Sequence, residues 1–131
     1  MSLIFKSIGY IRTKEANIPR HWKVSHVEGE IVIDEVYKEG LKGITPGQRI
    51  VVLFHFHKSP EFTKEYLIQK PPHKDFETGV FNTCSPIRPN PLGLSVVEVL
   101  DVEDNIIRIK GIDMIDGTPV LDIKPHHDPD K

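Results

Sequence analysis

At 131 residues, with 38% hydrophobic and 27% charged side chains, the chain has the size and composition of one soluble globular domain spanning 1–131, long enough to bury a core without cross-links. A net charge of −2 and a pI near 6.4 exclude a globally basic nucleic-acid binder and leave room only for a local basic patch. One cysteine, Cys84, excludes an intrachain disulfide. No apolar run reaches membrane-span length and the N-terminus lacks a secretory leader's apolar core, so a cytoplasmic protein without a membrane segment is expected.

Strand signals dominate in chain order. "LIFKSIGYIR" (3–12) is rich in strand formers. "GEIVIDEVY" (29–37) alternates with period two, placing Ile31, Ile33 and Glu35 on one face and Val32, Asp34 and Val36 on the other. "RIVVLFHFH" (49–57) is almost continuously apolar, the pattern of a strand buried on both faces. Helix is expected only as a short turn around "EYLIQ" (65–69), before Pro71 and Pro72 end it. "LSVVEVLDV" (94–102) and "NIIRIKGI" (105–112) flank the polar "EDN" and read as a hairpin. "TPVLDIKP" (118–125) is a last strand opened by an Asp116–Gly117 turn, and 128–131 reads as a flexible tail. Many short strands set between Gly, Pro and Asp turns predict an all-β, mainly antiparallel, small closed barrel; closure also removes sheet edges. The weakly periodic stretches 14–26 and 58–78 are long for simple connections, as functional or mobile loops are.

One loop is stiffened. "CSPIRPNP" (84–91) carries Pro86, Pro89 and Pro91, which fix their own φ and bias the residues before them. Ser85, Arg88 and Asn90 are thereby held in nearly constant directions, which lowers the entropy lost on binding a ligand.

Three groups of residues carry chemistry. His55 and His57, two apart on a strand, share a face and can ligate a metal if His73, His126 or a carboxylate supplies a third ligand. Cys84 has no base beside it in the sequence and reads as a packing residue. "GIDMIDGTPVLDIKP" (111–125) gathers Asp113, Asp116 and Asp122, with Lys124 on the strand face of Asp122. These acids are either turn and surface residues or a set that orients hydroxyls and an amine. No G-x-G-x-x-G or G-x-x-x-x-G-K-[ST] is present, so a nucleotide site of the Rossmann or P-loop kind has no support.

"GVFNTCSPIRPNPLGLSVVEVL" followed by "GIDMIDGTPVLDIKP" resembles the TsaA-like, or TrmO-like, methyltransferase family, whose members typically read G-V-F-A-T-R-S-P-x-R-P-N-P-I-G-L-S and D-x-x-D-G-T-P-V-x-D-I-K-P-Y. "IGYIRT", "NIPR", "GEIVI", "EGLKGI" and "VLFHFH" follow the family's other landmarks in order, so the resemblance spans essentially the whole chain. It implies a β-barrel that binds S-adenosylmethionine, forms a homodimer with the cofactor near the interface, and methylates N6-threonylcarbamoyladenosine of tRNA beside the anticodon. The end soon after "DIKP" resembles the family's single-domain form. Carried onto this sequence, the cofactor residues are Trp22, Lys23, Val24, His57, Lys58, Cys84, Leu92, Ile112, Asp113, Met114 and Ile115. Asp113 or Asp116 is the candidate to take or orient a proton, and Arg88, Asn90 and Lys124 are candidate substrate contacts. Arg12, Arg20, Lys23, Lys70, Lys74, Arg88 and Lys124 are candidate phosphate contacts. Three positions depart from the family pattern: Cys84 stands for arginine, Asn82 for a small residue and His126 for tyrosine. Losing the arginine fork leaves its work to Lys58 or Arg88, or alters the substrate. A different methyl acceptor, a metal enzyme built on His55 and His57, and a non-catalytic cofactor-binding module are the alternatives.

Overall fold

The computed structural model describes residues 1–127; the tail expected at 128–131 lies outside the described residues. Among the described residues eight strands form, namely β1 (Gly9–Arg12), β2 (Glu28–Ile33), β3 (Arg49–His55), β4 (Ile68–Gln69), β5 (Thr78–Gly79), β6 (Leu92–Glu103), β7 (Ile106–Lys110) and β8 (Pro119–Pro125). Six of them close an antiparallel barrel in the order β1-β2-β7-β6-β3-β8, with β8 returning to β1 through Gly9↔Val120 and Tyr10↔Pro119. The pair β4–β5 stands apart as a small two-stranded sheet. Four short 3₁₀ turns are the helical content of the described residues. The expected all-β closed barrel is therefore what the chain forms.

The barrel follows from period-two patterning. Ile31 and Ile33 of β2, Ile50, Val52 and Phe54 of β3, Val97 and Val99 of β6, Ile107 and Ile109 of β7 and Val120 of β8 all point inward and are essentially solvent-free. Each such side chain stabilises the fold by about 1.5–3 kcal/mol when fully buried. β6 and β7 form the expected hairpin through Asp104–Asn105, with Asp104 at φ 56°. A bulge between Val99 and Asp101 bends the long β6 so that it can serve both β7 and β3. Gly117, at φ 85°, makes the turn that launches β8.

Several expectations are corrected. Of the 3–12 stretch only Gly9–Arg12 is strand: β2 ends at Ile33, opposite Gly9, the pairing with β8 reaches only Val120, and the last backbone bonds are those of Ile8; Leu3, Ile4 and Phe5 remain exposed. Strand propensity without a partner does not make a strand. β2 stops at Ile33, where the Asp34 amide bonds the Ile8 carbonyl, and Glu35–Leu41 becomes a 3₁₀ turn with Val36 exposed. β3 is buried on its inner face only, since Val51 and Leu53 on its outer face are half-buried. The turn expected at 65–69 forms at Lys64–Leu67, then passes directly into β4.

Candidate functional site

The end of β3, the proline loop and the approach to β8 meet in a cleft of about 320 Å³. Phe54, Phe56, His57, Lys58, Ser59, Pro60, Pro86, Ile87, Asp113, Met114, Ile115 and Thr118 line it. His57 and Lys58 follow β3, where the Phe56 amide leaves the ladder to bond the Pro91 carbonyl at 2.8 Å. Phe54 and Phe56 pack edge to face at 5.0 Å and make the cleft's aromatic wall.

The proline loop is braced from several sides. Arg88 Nη1 donates to the carbonyls of Thr83 (2.9 Å) and Ser85 (3.2 Å), folding the guanidinium back onto its own loop. Ser59 Oγ donates to the Pro86 carbonyl at 2.9 Å, and Gln69 Nε2 to the Ile87 carbonyl at 2.8 Å. The long 58–78 stretch thus fixes the two loop residues that face the cleft.

Asp113 supplies the cleft's acid. Burial pushes its carboxyl above the usual carboxylate range, while a hydrogen bond from Ser95 Oγ, the charge of His21 and the Trp22 amide pull it back. Ser95 is fully buried on the inner face of β6, so its hydroxyl needs this partner. The Trp22–Val24 turn reaches Asp113 because the chain around it is stitched to the segment leaving β7. Ser25 Oγ donates to the Ile112 carbonyl at 2.5 Å, and the Gly111 amide donates to the Val27 carbonyl at 2.9 Å. The His21 side chain caps the turn, Nδ1 accepting the Lys23 amide at 3.1 Å.

The residues singled out in the sequence therefore separate. His57, Lys58, Asp113, Met114 and Ile115 line one cleft. Trp22 and Lys23 are outside the cleft lining, and Lys23 lies over the Trp22 ring. Val24 is exposed and borders a second, more open groove of about 620 Å³ with Thr13, Lys14, Glu15, Pro19, His26, Val27 and Glu28, away from Asp113. Ile112 is a core residue. Cys84 is exposed and outside the cleft lining, as are Asn90 and Leu92. Asp116 is exposed and accepts the Thr13 amide at 2.9 Å, tying the end of β1 to the β8 turn. Lys124 pairs with Asp122 at 3.4 Å on the barrel's outside. Among the described residues, no three His, Cys, Asp or Glu side chains gather as metal ligands around His55 and His57. The sequence reading missed Phe54, Ile87, Ser95 and His21. Ser95 left a trace: it is the polar residue on the face that carries Val97 and Val99.

The model of the tRNA-methyltransferase O N-terminal domain family matches residues 10–129. The chain belongs to this family. A protein from Archaeoglobus fulgidus named "S-adenosyl-L-methionine-binding protein" is 39% identical over 127 residues, covering 95% of this chain and 89% of its own length. The human "tRNA (adenine(37)-N6)-methyltransferase" is 43% identical over 89 residues, covering 68% of this chain but 20% of its own. The crystal structure of TrmO from Pseudomonas aeruginosa superposes with a TM-score of 0.77 at 32% identity, over 97% of this chain and 57% of that one. Another Archaeoglobus fulgidus relative, named "Probable S-adenosyl-L-methionine-binding protein", is spanned over 34% of its length. Several relatives are thus much longer than this chain. Among the described residues, no helix is long and apolar enough to cross a membrane.

Proposed function

We propose that this chain transfers a methyl group from S-adenosylmethionine to the N6 nitrogen of a tRNA adenosine beside the anticodon, one that carries the threonylcarbamoyl group. Family membership and the names of its relatives support the reaction class. The observation that carries the reading is the meeting of His57–Lys58, Pro86–Ile87 and Asp113–Ile115 in one cleft.

The residues present fit the cofactor. The cleft volume lies within the range of small-molecule sites, about 300–1,000 Å³. Phe54, Phe56, Ile87 and Met114 offer apolar walls, Asp113 a carboxylate and Lys58 an ammonium. When bound, S-adenosylmethionine supplies an electrophilic methyl on a positively charged sulfur. Asp113 would hold the positive end and Lys58 the carboxylate of the amino-acid tail, with the aromatic pair keeping water out. The braced proline loop would orient the reactants; such positioning is worth up to about 7–11 kcal/mol. The carbon–nitrogen bond would form as the methyl–sulfur bond breaks and leaves a neutral thioether, and the accepting nitrogen would give its proton to the Asp113 carboxylate that lines the cleft. Its burial, which raises its proton affinity, matches that role.

The assembly we propose is a cytoplasmic homodimer of single-barrel chains with the cofactor near the interface. Exposed Leu92 and Leu94 on the outer face of β6 support such packing. Calorimetric titration with S-adenosylmethionine, followed by methyl incorporation into unmodified and threonylcarbamoylated tRNA, tests the reading. No binding heat and no incorporation overturns it. Binding without incorporation assigns a cofactor-binding module, and equal incorporation into both tRNAs removes the threonylcarbamoyl requirement.

A further inference from the structure

Ser95 interrupts an aliphatic row. It lies on the inner face of β6 between Gly93 and Val97, with Val52 opposite it on β3. Ser95, Val52 and Val97 are all essentially solvent-free. A hydroxyl at such a position gains little for stability, because burial costs it its water and a hydrogen bond made in exchange returns only about 0.5–1.5 kcal/mol net. Among the described residues that bond goes to Asp113, whose Oδ1 accepts from Ser95 Oγ.

The bond is not needed to hold the segment that carries Asp113. The Gly111 and Ile112 amides donate to the Val27 carbonyl at 2.9 and 3.2 Å, and the Ile112 carbonyl accepts Ser25 Oγ at 2.5 Å. Further on, the Gly117 amide donates to the Ile11 carbonyl at 2.7 Å, and Thr118 Oγ1 to the Ile115 carbonyl at 2.7 Å. Ile112 and Met114, on either side of Asp113, are core residues. With the main chain fixed before and after it, what Ser95 adds is the direction of the Asp113 carboxylate. An unbonded carboxylate turns about χ1 and χ2; one oxygen tied to a buried donor holds the other in place. That carboxylate is part of the cleft wall. The donor also favours the charged form, against burial, which favours the neutral acid. The charge of His21 acts in the same sense as Ser95, and His57 and Lys58 are the other titratable side chains of the cleft.

We infer that Ser95 is a positioning residue for methyl transfer: its hydroxyl keeps Asp113 Oδ1 against the barrel wall so that Oδ2 meets the accepting nitrogen. Ser95 touches neither reactant and acts through Asp113. The proton that the nitrogen loses as it takes the methyl group ends on Oδ2, and the sulfur keeps the electron pair of the broken bond. This role rests on the methyltransferase reading.

Ser95→Ala removes the hydroxyl and adds no volume, so the barrel is expected to fold. With threonylcarbamoylated tRNA and S-adenosylmethionine both saturating, its kcat is expected to fall about tenfold or more. The acidic limb of its kcat–pH profile is expected at higher pH than in wild type, because the carboxylate has lost a donor. The same rise is expected in the Asp113 carboxyl titration followed by carbon-13 NMR without substrates, the resonance being identified by its absence from Asp113→Asn. The double variant Ser95→Ala/Asp113→Asn is expected to match Asp113→Asn in kcat within about twofold, whereas a serine that only supports the fold would lower it further. An unchanged kcat, an acidic limb that stays in place, or a double variant about tenfold below Asp113→Asn overturns the positioning role. A wild-type chain that methylates no tRNA overturns the methyltransferase reading instead. The NMR titration then decides alone: a carboxyl that rises in Ser95→Ala keeps Ser95 as the residue that sets the cleft acid, and one that stays put overturns it.

Discussion

Replacing Gly93 with alanine should damage both the barrel and the cleft. Gly93 faces Phe54 across the β3–β6 ladder and is buried. A Cβ placed there would sit 2.9 Å from Phe54 Cε1 and nearer still to Cζ and Cε2. Carbon atoms are at optimal separation near 3.5–4.0 Å, so the ring has to retreat by about 1 Å or more. It has little room, because Phe54 is 2% exposed and packs edge-on against Phe56. Gly93 has no positive φ, so volume alone is at issue. Overpacking of this kind costs about 1–3 kcal/mol. At this chain length, each kcal/mol lowers the melting temperature by about 3–5 °C, so a fall of about 3–15 °C is expected in a thermal scan. Both rings line the cleft, so S-adenosylmethionine affinity should fall about tenfold by calorimetry, equivalent to about 1.4 kcal/mol. The double variant Gly93→Ala/Phe54→Leu separates causes: the smaller side chain should recover about 1 kcal/mol of the loss as a coupling energy. A Gly93→Ala melting temperature within about 1 °C of wild type, or a deficit that Phe54→Leu leaves untouched, would refute the steric argument.

Asp113→Asn should abolish most methyl transfer, by at least about a hundredfold, the usual minimum for losing a proton-transfer group. It should also change the pH dependence of stability. Burial raises the Asp113 carboxyl, so the native state keeps a proton that the unfolded chain has lost; wild-type stability then declines as pH rises from the ordinary carboxylate value through the raised one. The asparagine variant should lack that decline in denaturant titrations run across this window. Asp116→Ala removes the acceptor of the Thr13 amide and should cost about 1–2 kcal/mol in denaturant unfolding, with kcat at saturating substrates unchanged. Loss of kcat there would move the proton-accepting role to Asp116. Arg88→Lys cannot reproduce the fork held by the Thr83 and Ser85 carbonyls, so KM for S-adenosylmethionine should rise about tenfold while kcat holds; an unchanged KM would mean that the brace is dispensable.

The barrel was readable because its strands alternate. The inward aliphatics of β2, β6 and β7 recur at every second position, and closing the sheet is how they leave water. Reading failed where a strand signal had no partner, as at Leu3–Phe5, or where a continuous apolar run did not mean two buried faces, as in β3. The site was legible to the level of segments. The histidine strand, the proline loop and the acid-rich approach to β8 do meet, but sequence could not separate Asp113 from Asp116. Their difference is made elsewhere, by the Ser95 hydroxyl donating to one and the Thr13 amide to the other. Cys84 posed the same kind of problem, because the family pattern places a guanidinium there. Lys58 and Arg88 were equal candidates to replace it. A changed substrate was the third alternative, and the loop's hydrogen bonds bear on the first two. Arg88 directs Nη1 to two carbonyls of its own loop, whereas Lys58 is exposed on the cleft wall with no acid bound to it among the described residues. An arginine spent on bracing its own loop supports the proposal that Lys58, in the segment following β3 and on the cleft wall that Asp113 also lines, takes the arginine's place.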